Sequence, residues 1–216
     1  LAYWVTYTID DKHGGFAGSI NNNNERDNDA LKGVVLNSRI LWTFSAAYHQ
    51  QQLPAYLSMA QIAWQYINRY FVDRQFGGVY WSVTKEGKPA ETRKQIYGLA
   101  FCMYGLSEYY KVSKDPATLA LALQLYDAIE RYSFDNNAGG YFEAFARDWS
   151  PLDDLRLSEK DDNEKKTMNT HLHIIEAYAN LYTITKSDLV KKNIIHLLEV
   201  FDQHIINKQT GHLNLF

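Results

Sequence analysis

The residues best suited to chemistry stand on three short stretches. The densest is Met168-Asn169-Thr170-His171-Leu172-His173-Ile174-Ile175-Glu176, polar groups set into an otherwise apolar run. Asn169 and His173 are four apart and so share one face of a helix. His171 is two from His173 and points elsewhere, so the two histidines do not make a helix-borne metal pair. Their bland alternative is to cap the helix start and bond the loop before it. In the second stretch, Asn37-Ser38-Arg39 is flanked by Leu36, Ile40 and Leu41. An arginine there is costly to bury without a partner. Either it pairs with a glycine-loop carboxylate or its charge faces a ligand. The third stretch offers Gln95 and Tyr97. Arg, Tyr, Asn and His around one pocket suit a neutral, polyhydroxylated ligand. Glu143 and Glu176 are the carboxylates that a hydrolase would need, but no spacing pairs them across a cleft. Phosphate loops, nucleotide fingerprints and Ser-His-Asp spacings do not occur.

These stretches need elements that bring them together, and the sequence repeats itself in a way that supplies them. A Gly-Gly-aromatic signature returns as His13-Gly14-Gly15-Phe16, Phe76-Gly77-Gly78-Val79-Tyr80-Trp81 and Ala138-Gly139-Gly140-Tyr141-Phe142, with a degenerate copy at Thr210-Gly211-His212-Leu213. Gly14, Gly77 and Gly139 are 63 and 62 residues apart. Each interval holds two helical segments, the mark of stacked α-hairpins. Apolar periodicity predicts helices over about 33–51, 54–71, 92–112, 115–134, 167–185 and 187–207, with a helix end at 1–9. Asp115 and Ser187 are the expected N-caps, and Pro54 and Pro116 sit in first turns. Strand is expected only near 79–83 and 141–145. A long charged loop, from Arg147 to about Lys165, contains Asp153-Asp154-Leu155-Arg156 and Glu159-Lys160-Asp161-Asp162. It is either a solvated loop or a lid. The glycine loops should sit on one face, and the polar first turns of alternate helices should converge on one pocket.

The 216 residues contain no linker-like run, so 1–216 is read as a single domain. The 16 Tyr and 5 Trp either fill wide gaps between helices or offer flat faces to sugars. A net charge of -3 argues against nucleic acid and membrane-surface partners. The single Cys102 lies in an apolar run and reads as core; it favours a reducing, cytoplasmic setting. A closed ring needs about six such hairpins, roughly 350–400 residues at this period. The chain offers three and an apolar arm running to Phe216, so the expectation is a partial barrel truncated at both ends.

The segment Arg156-Leu157-Ser158-Glu159-Lys160-Asp161, then Asn163-Glu164-Lys165-Lys166-Thr167-Met168-Asn169-Thr170-His171-Leu172-His173 and Glu176-Ala177-Tyr178, resembles the cellobiose 2-epimerases of the acylglucosamine epimerase superfamily. Leu36-Asn37-Ser38-Arg39 and the glycine arms agree with it, and the likeness covers essentially the whole chain. The resemblance implies an all-α (α/α)6 toroid, about half of it present here. It implies inversion at C2 of a reducing-end glucose within a β-1,4 disaccharide, through ring opening and an enediolate, with a small sugar as partner and no cofactor. Arg39 then corresponds to the pocket arginine at the C1 and C2 oxygens, and Tyr97, Asn169 and His173 to the other sugar contacts. The two acid/base histidines are expected beyond Phe216. An acylglucosamine 2-epimerase, a mannose isomerase and a non-catalytic carbohydrate-binding half-barrel are the alternatives.

Overall fold

The computed structural model describes residues 1–215. Its helices are α1 (Ala2–Tyr7), α2 (Val34–Gln51), α3 (Pro54–Tyr66), α4 (Ile96–Ser113), α5 (Pro116–Ala128), α6 (Met168–Thr185) and α7 (Asp188–Val200). They form three hairpins in two layers. The inner helices α2, α4 and α6 pack side by side, and α3, α5 and α7 each back the inner helix before them. Between the layers lie Leu41, Phe44, Ala63, Leu99, Leu106, Leu125, Ile174 and Leu181, all buried. Cys102 is buried in this core. The inner helices approach closely: a Cβ on Gly105 of α4 would stand 2.7 Å from the Ser38 carbonyl oxygen of α2. Among the described residues no helix is long and apolar enough to cross a membrane.

Each hairpin turns the same way. Gln52, Lys114 and Lys186 close the inner helices in left-handed conformation. Asp115 then accepts the Ala117 N–H and Ser187 the Val190 N–H, as expected of N-caps. Leu53 has no capping side chain, and Pro54 behind it removes one donor that would need capping. Every outer helix finishes in a π-helical turn, at Ile67–Phe71, Ile129–Ser133 and Phe201–Ile205. A single β-bridge follows each, Val72 to Val79, Phe134 to Tyr141 and Ile206 to Leu213, and encloses the glycine loop. The degenerate copy at Gly211 therefore folds like the others. Phe216, where the apolar arm was expected to end, lies outside the described residues.

The third helix begins at Ile96, not at about 92, because Lys94–Gln95 is strand. Strand is also not confined to 79–83 and 141–145. Besides β4 (Ser82–Val83) and β7 (Ala144–Phe145), short strands form at β1 (Ser19–Ile20), β2 (Arg26–Asp27), β3 (Lys32–Gly33), β5 (Pro89–Glu91) and β6 (Lys94–Gln95). The reason is a recurrent pairing. The residues entering an inner helix pair antiparallel with the following glycine arm, β3 with β4 and β6 with β7. The arm then gives a carbonyl to the first N–H of that helix: Trp81 to Val34, Glu143 to Ile96 and Leu215 to Met168, at 3.0, 3.0 and 2.9 Å. Those donors would otherwise be orphaned. Each arm thus closes the mouth end of the hairpin before it, and no sheet among the described residues exceeds three strands.

Candidate active site

The glycine loops are built on an aspartate. Asp10, Asp73 and Asp135 accept two backbone N–H bonds each from the loop ahead of them. Their other oxygens take a lysine from the entry to the next inner helix: Lys32 to Asp10 at 2.7 Å, Lys94 to Asp73 at 2.9 Å and Lys166 to Asp135 at 2.6 Å. Lys32 and Lys166 also donate to the Gly14 and Gly139 carbonyls. In the left-handed turn at Gly15 a Cβ would collide with the Tyr66 ring at 2.6 Å. These ties fix the first turns of the inner helices. The recurrence is visible in the sequence, each aspartate four residues before a glycine pair and each lysine two residues before an inner helix, and reading the glycines alone misses it.

The fixed inner helices together line a cavity of about 310 Å³, with Arg39 and Trp42 from α2, Phe101 and Tyr104 from α4, and His173 and Glu176 from α6. The Arg39 guanidinium lies over the Phe101 ring, 5.1 Å from its centroid. The alternative ion pair with a glycine-loop carboxylate does not form: Asp10, Asp73 and Asp135 take Lys32, Lys94 with Arg147, and Lys166 instead. His173 is wedged between Tyr97, edge-on at 4.8 Å, and Phe101 at 4.4 Å. Its Nδ1 lies 2.7 Å from Glu176 Oε2. Burial raises the Tyr97 hydroxyl above its ordinary pKa, the nearby Arg39 opposing and Glu176 adding to the shift. The structure therefore brings Arg39, Tyr97 and His173 together.

Asn169 is one turn earlier on α6 and does not line that cavity. It lines a neighbouring recess of about 330 Å³ with Glu143, Thr167 and the loop residues Arg156, Leu157 and Asp161. The charged loop and the first turn of α6 together line this recess. The loop's first part is latched, Arg93 donating to the Asp154 and Arg156 carbonyls and Gln95 to the Arg156 carbonyl, whereas residues 158–165 are exposed. Gln95 thus serves the loop rather than the cavity. At the other end of the loop, Arg147 bonds Asp73 and the Trp149 indole stacks on Tyr132 at 4.3 Å.

Two further polar groups are spent on structure. His171 Nδ1 bonds the Thr167 carbonyl at 2.7 Å while Nε2 accepts the Tyr141 N–H at 2.9 Å. Burial lowers its pKa, in keeping with a neutral ring. Glu143 accepts the Thr167 N–H at 2.8 Å and the Thr170 hydroxyl at 2.5 Å. Burial pushes its carboxyl up to about 7 against those bonds. Among the described residues no three His, Cys, Asp or Glu side chains gather to hold a metal ion. Trp42, Phe101 and Tyr104 escaped the sequence reading. Their signal is helical spacing: Tyr97, Phe101, Tyr104 and Glu108 form one stripe on α4, opposite Asn169, His173, Glu176 and Asn180 on α6.

A family model described as N-acylglucosamine 2-epimerase (GlcNAc 2-epimerase) matches residues 14–216. A cellobiose 2-epimerase of Bacteroides fragilis is 46% identical over 216 residues, covering 100% of this chain and 55% of that protein. A cellobiose 2-epimerase of Dictyoglomus turgidum is 39% identical over 207 residues, covering 96% of this chain and 53% of its own. The solved structure of cellobiose 2-epimerase from Bacillus thermoamylovorans superposes with a TM-score of 0.96 at 38% identity, covering 100% of this chain and 55% of that one. That structure is an (α/α)6 barrel, and the three hairpins here correspond to about half of it. The chain spans about half the length of the curated relatives it matches.

Proposed function

The chain belongs to the N-acylglucosamine 2-epimerase family, and from that premise we propose that the whole protein is a cellobiose 2-epimerase. It inverts C2 of the reducing-end glucose of cellobiose and related β-1,4 disaccharides. The observation that carries this reading is the placement of Arg39 and His173 in one aromatic-walled cavity, with the Tyr97 ring edge-on to His173 behind it. Relatives named for this activity share 39–46% of its residues over nearly the whole chain.

In the proposed reaction the sugar ring opens to expose the C1 aldehyde. A base removes the C2 proton, and the electron pair moves through C2–C1 onto the C1 oxygen, giving a planar enediolate. Return of a proton to the opposite face of C2 gives mannose. Charge develops on the C1 oxygen, and a fixed guanidinium there stabilises the intermediate more than the ground state. We assign that role to Arg39, which lines the cavity and makes no salt bridge with any carboxylate among the described residues. His173 and Tyr97 hold sugar hydroxyls, and Asn169 in the adjoining recess makes a further sugar contact. The two acid/base groups must stand on opposite sides of C2. We assign them to the facing half of the barrel, so that residues 1–216 act as one partial-barrel unit that positions the sugar. The latched loop is the outer wall for the second sugar. This wall favours a disaccharide over the acylglucosamine or free mannose of the alternative readings. The single buried thiol supports a cytoplasmic setting.

The test is to incubate the full-length protein with cellobiose and separate the products by chromatography. Glucosyl-mannose is the expected product. Turnover of N-acetylglucosamine alone moves the assignment to that sugar, free glucose indicates a hydrolase, and binding without turnover indicates a carbohydrate-binding protein.

A further inference from the structure

His173 has two ring nitrogens, and the structure spends only one of them. Nδ1 faces Glu176 Oε2 at 2.7 Å. An ionised carboxylate only accepts, so the hydrogen of that bond sits on Nδ1. Glu176 stands three residues on, where helical geometry puts its side chain beside the ring. Tyr97 meets the ring edge-on at 85° and Phe101 lies at 4.4 Å, so the ring is held on three sides. Both residues of the pair line the cavity with Arg39. His171, two residues earlier, gives the contrast. Its Nδ1 is also spent, on the Thr167 carbonyl, but its Nε2 is taken by the Tyr141 N–H. It has nothing left for a ligand. In His173 a ring carrying its hydrogen on Nδ1 alone keeps a lone pair on Nε2, and no protein group takes that nitrogen among the described residues.

We propose that Glu176 is a positioning residue: it fixes His173 as the Nδ1–H tautomer, so that Nε2 accepts a hydrogen bond from a sugar hydroxyl. This rests on the reading of His173 as a sugar contact. Although Glu176 also lines the cavity, its effect on the sugar runs through the histidine. Removing it lets the ring turn and take the Nε2–H tautomer that free imidazole prefers, which presents a donor where the hydroxyl needs an acceptor.

Two measurements on the full-length protein test this. The first is ¹⁵N NMR of histidine-labelled, ligand-free protein at alkaline pH, with the His173 signal identified by its loss in His173→Gln. The wild type is expected to show a protonated Nδ1 and a bare Nε2, and Glu176→Ala to shift toward the reverse. This reading is independent of which sugar is turned over, so it stands even where cellobiose proves not to be the substrate. A wild-type ring with its hydrogen on Nε2 overturns the proposal. The second is a double-mutant cycle on KM for cellobiose. Glu176→Ala is expected to raise KM about tenfold, and to add nothing in a His173→Ala background. Glu176→Gln, whose amide oxygen still accepts from Nδ1–H, is expected to stay close to the wild type. Multiplying effects in the double variant, or loss in Glu176→Gln equal to that in Glu176→Ala, overturns it.

Discussion

Arg39 is where one atom's worth of geometry matters most. Its guanidinium is held over Phe101 and faces the cavity, so truncation removes charge stabilisation without opening the core. Arg39→Ala in the full-length protein is expected to lower kcat by about 10²–10³ with little change in thermal stability. Wild-type turnover in that variant removes Arg39 from the chemistry. Glu143 offers a test of a different kind. Burial raises its carboxyl from 4.5 in the unfolded chain to about 7 in the fold. A carboxyl raised on folding favours the protonated folded state. Its contribution is fully present below about pH 4.5 and is lost as pH rises toward 7, at no more than about 1.4 kcal/mol per pH unit. Glu143→Gln keeps an acceptor for the Thr167 N–H and cannot ionise. The melting temperature of the wild type relative to Glu143→Gln is therefore expected to fall between pH 4.5 and 7. A flat difference across that window contradicts the assignment. The sequence showed Arg39 and His173 because a charge and a ring interrupt apolar runs. It did not show that Asn169 lines a neighbouring recess, because that depends on where the loop from Arg147 to Lys165 folds back.

Among the elements, the glycine loop with its aspartate and lysine is the repeating joint. The three joints differ in burial: the Lys94–Asp73 side chains are 0% and 0% exposed, those of Lys166–Asp135 27% and 13%. Breaking a buried pair leaves an uncompensated charge, whereas a wetter pair contributes little. Lys94→Met is expected to cost about 3 kcal/mol in urea unfolding and Lys166→Met about 1 kcal/mol. Arg147 still bonds Asp73 in the first variant, and it sets a limit on that cost. Equal losses at the two sites would mean that the joints are not graded by burial. The loop latch makes a prediction for specificity. Arg93→Ala frees the Asp154 carbonyl and leaves the Arg156 carbonyl held by Gln95 alone. KM for a disaccharide is expected to rise about fivefold or more, with KM for free mannose or glucose unchanged. Helices and turns were legible from periodicity, proline and Asp/Ser caps. The β-pairs that enter each inner helix were not, since Lys32–Gly33 and Lys94–Gln95 carry no strand pattern. They exist because the arm of the next hairpin supplies their partner, 50 residues away.

At the scale of the whole chain, the three hairpins are alike except at their ends. Residue eleven of each outer helix is Trp64, Tyr126 and Leu198. Trp64 is 9% exposed under Tyr109, and Tyr126 is 4% exposed under Tyr178, both from the following inner helices. Leu198 is 55% exposed, with Leu189 and Ile195 bare beside it. At the opposite end Leu1, Tyr3, Trp4 and Tyr7 are exposed on and beside α1. Contiguous apolar edges of this kind drive association. A polypeptide of residues 1–216 alone is expected to elute from size exclusion as a dimer or larger and to leave cellobiose unchanged. A monodisperse, active monomer would contradict both the edge argument and the placement of the acid/base pair. The central claim is more direct: C2 of the reducing-end glucose loses its proton and regains one on the other face. Proton NMR of cellobiose with the full-length protein in D₂O tests it. The account predicts glucosyl-mannose carrying solvent deuterium at C2; a mannose-ended product that keeps its original C2 proton, or release of free glucose, would contradict it.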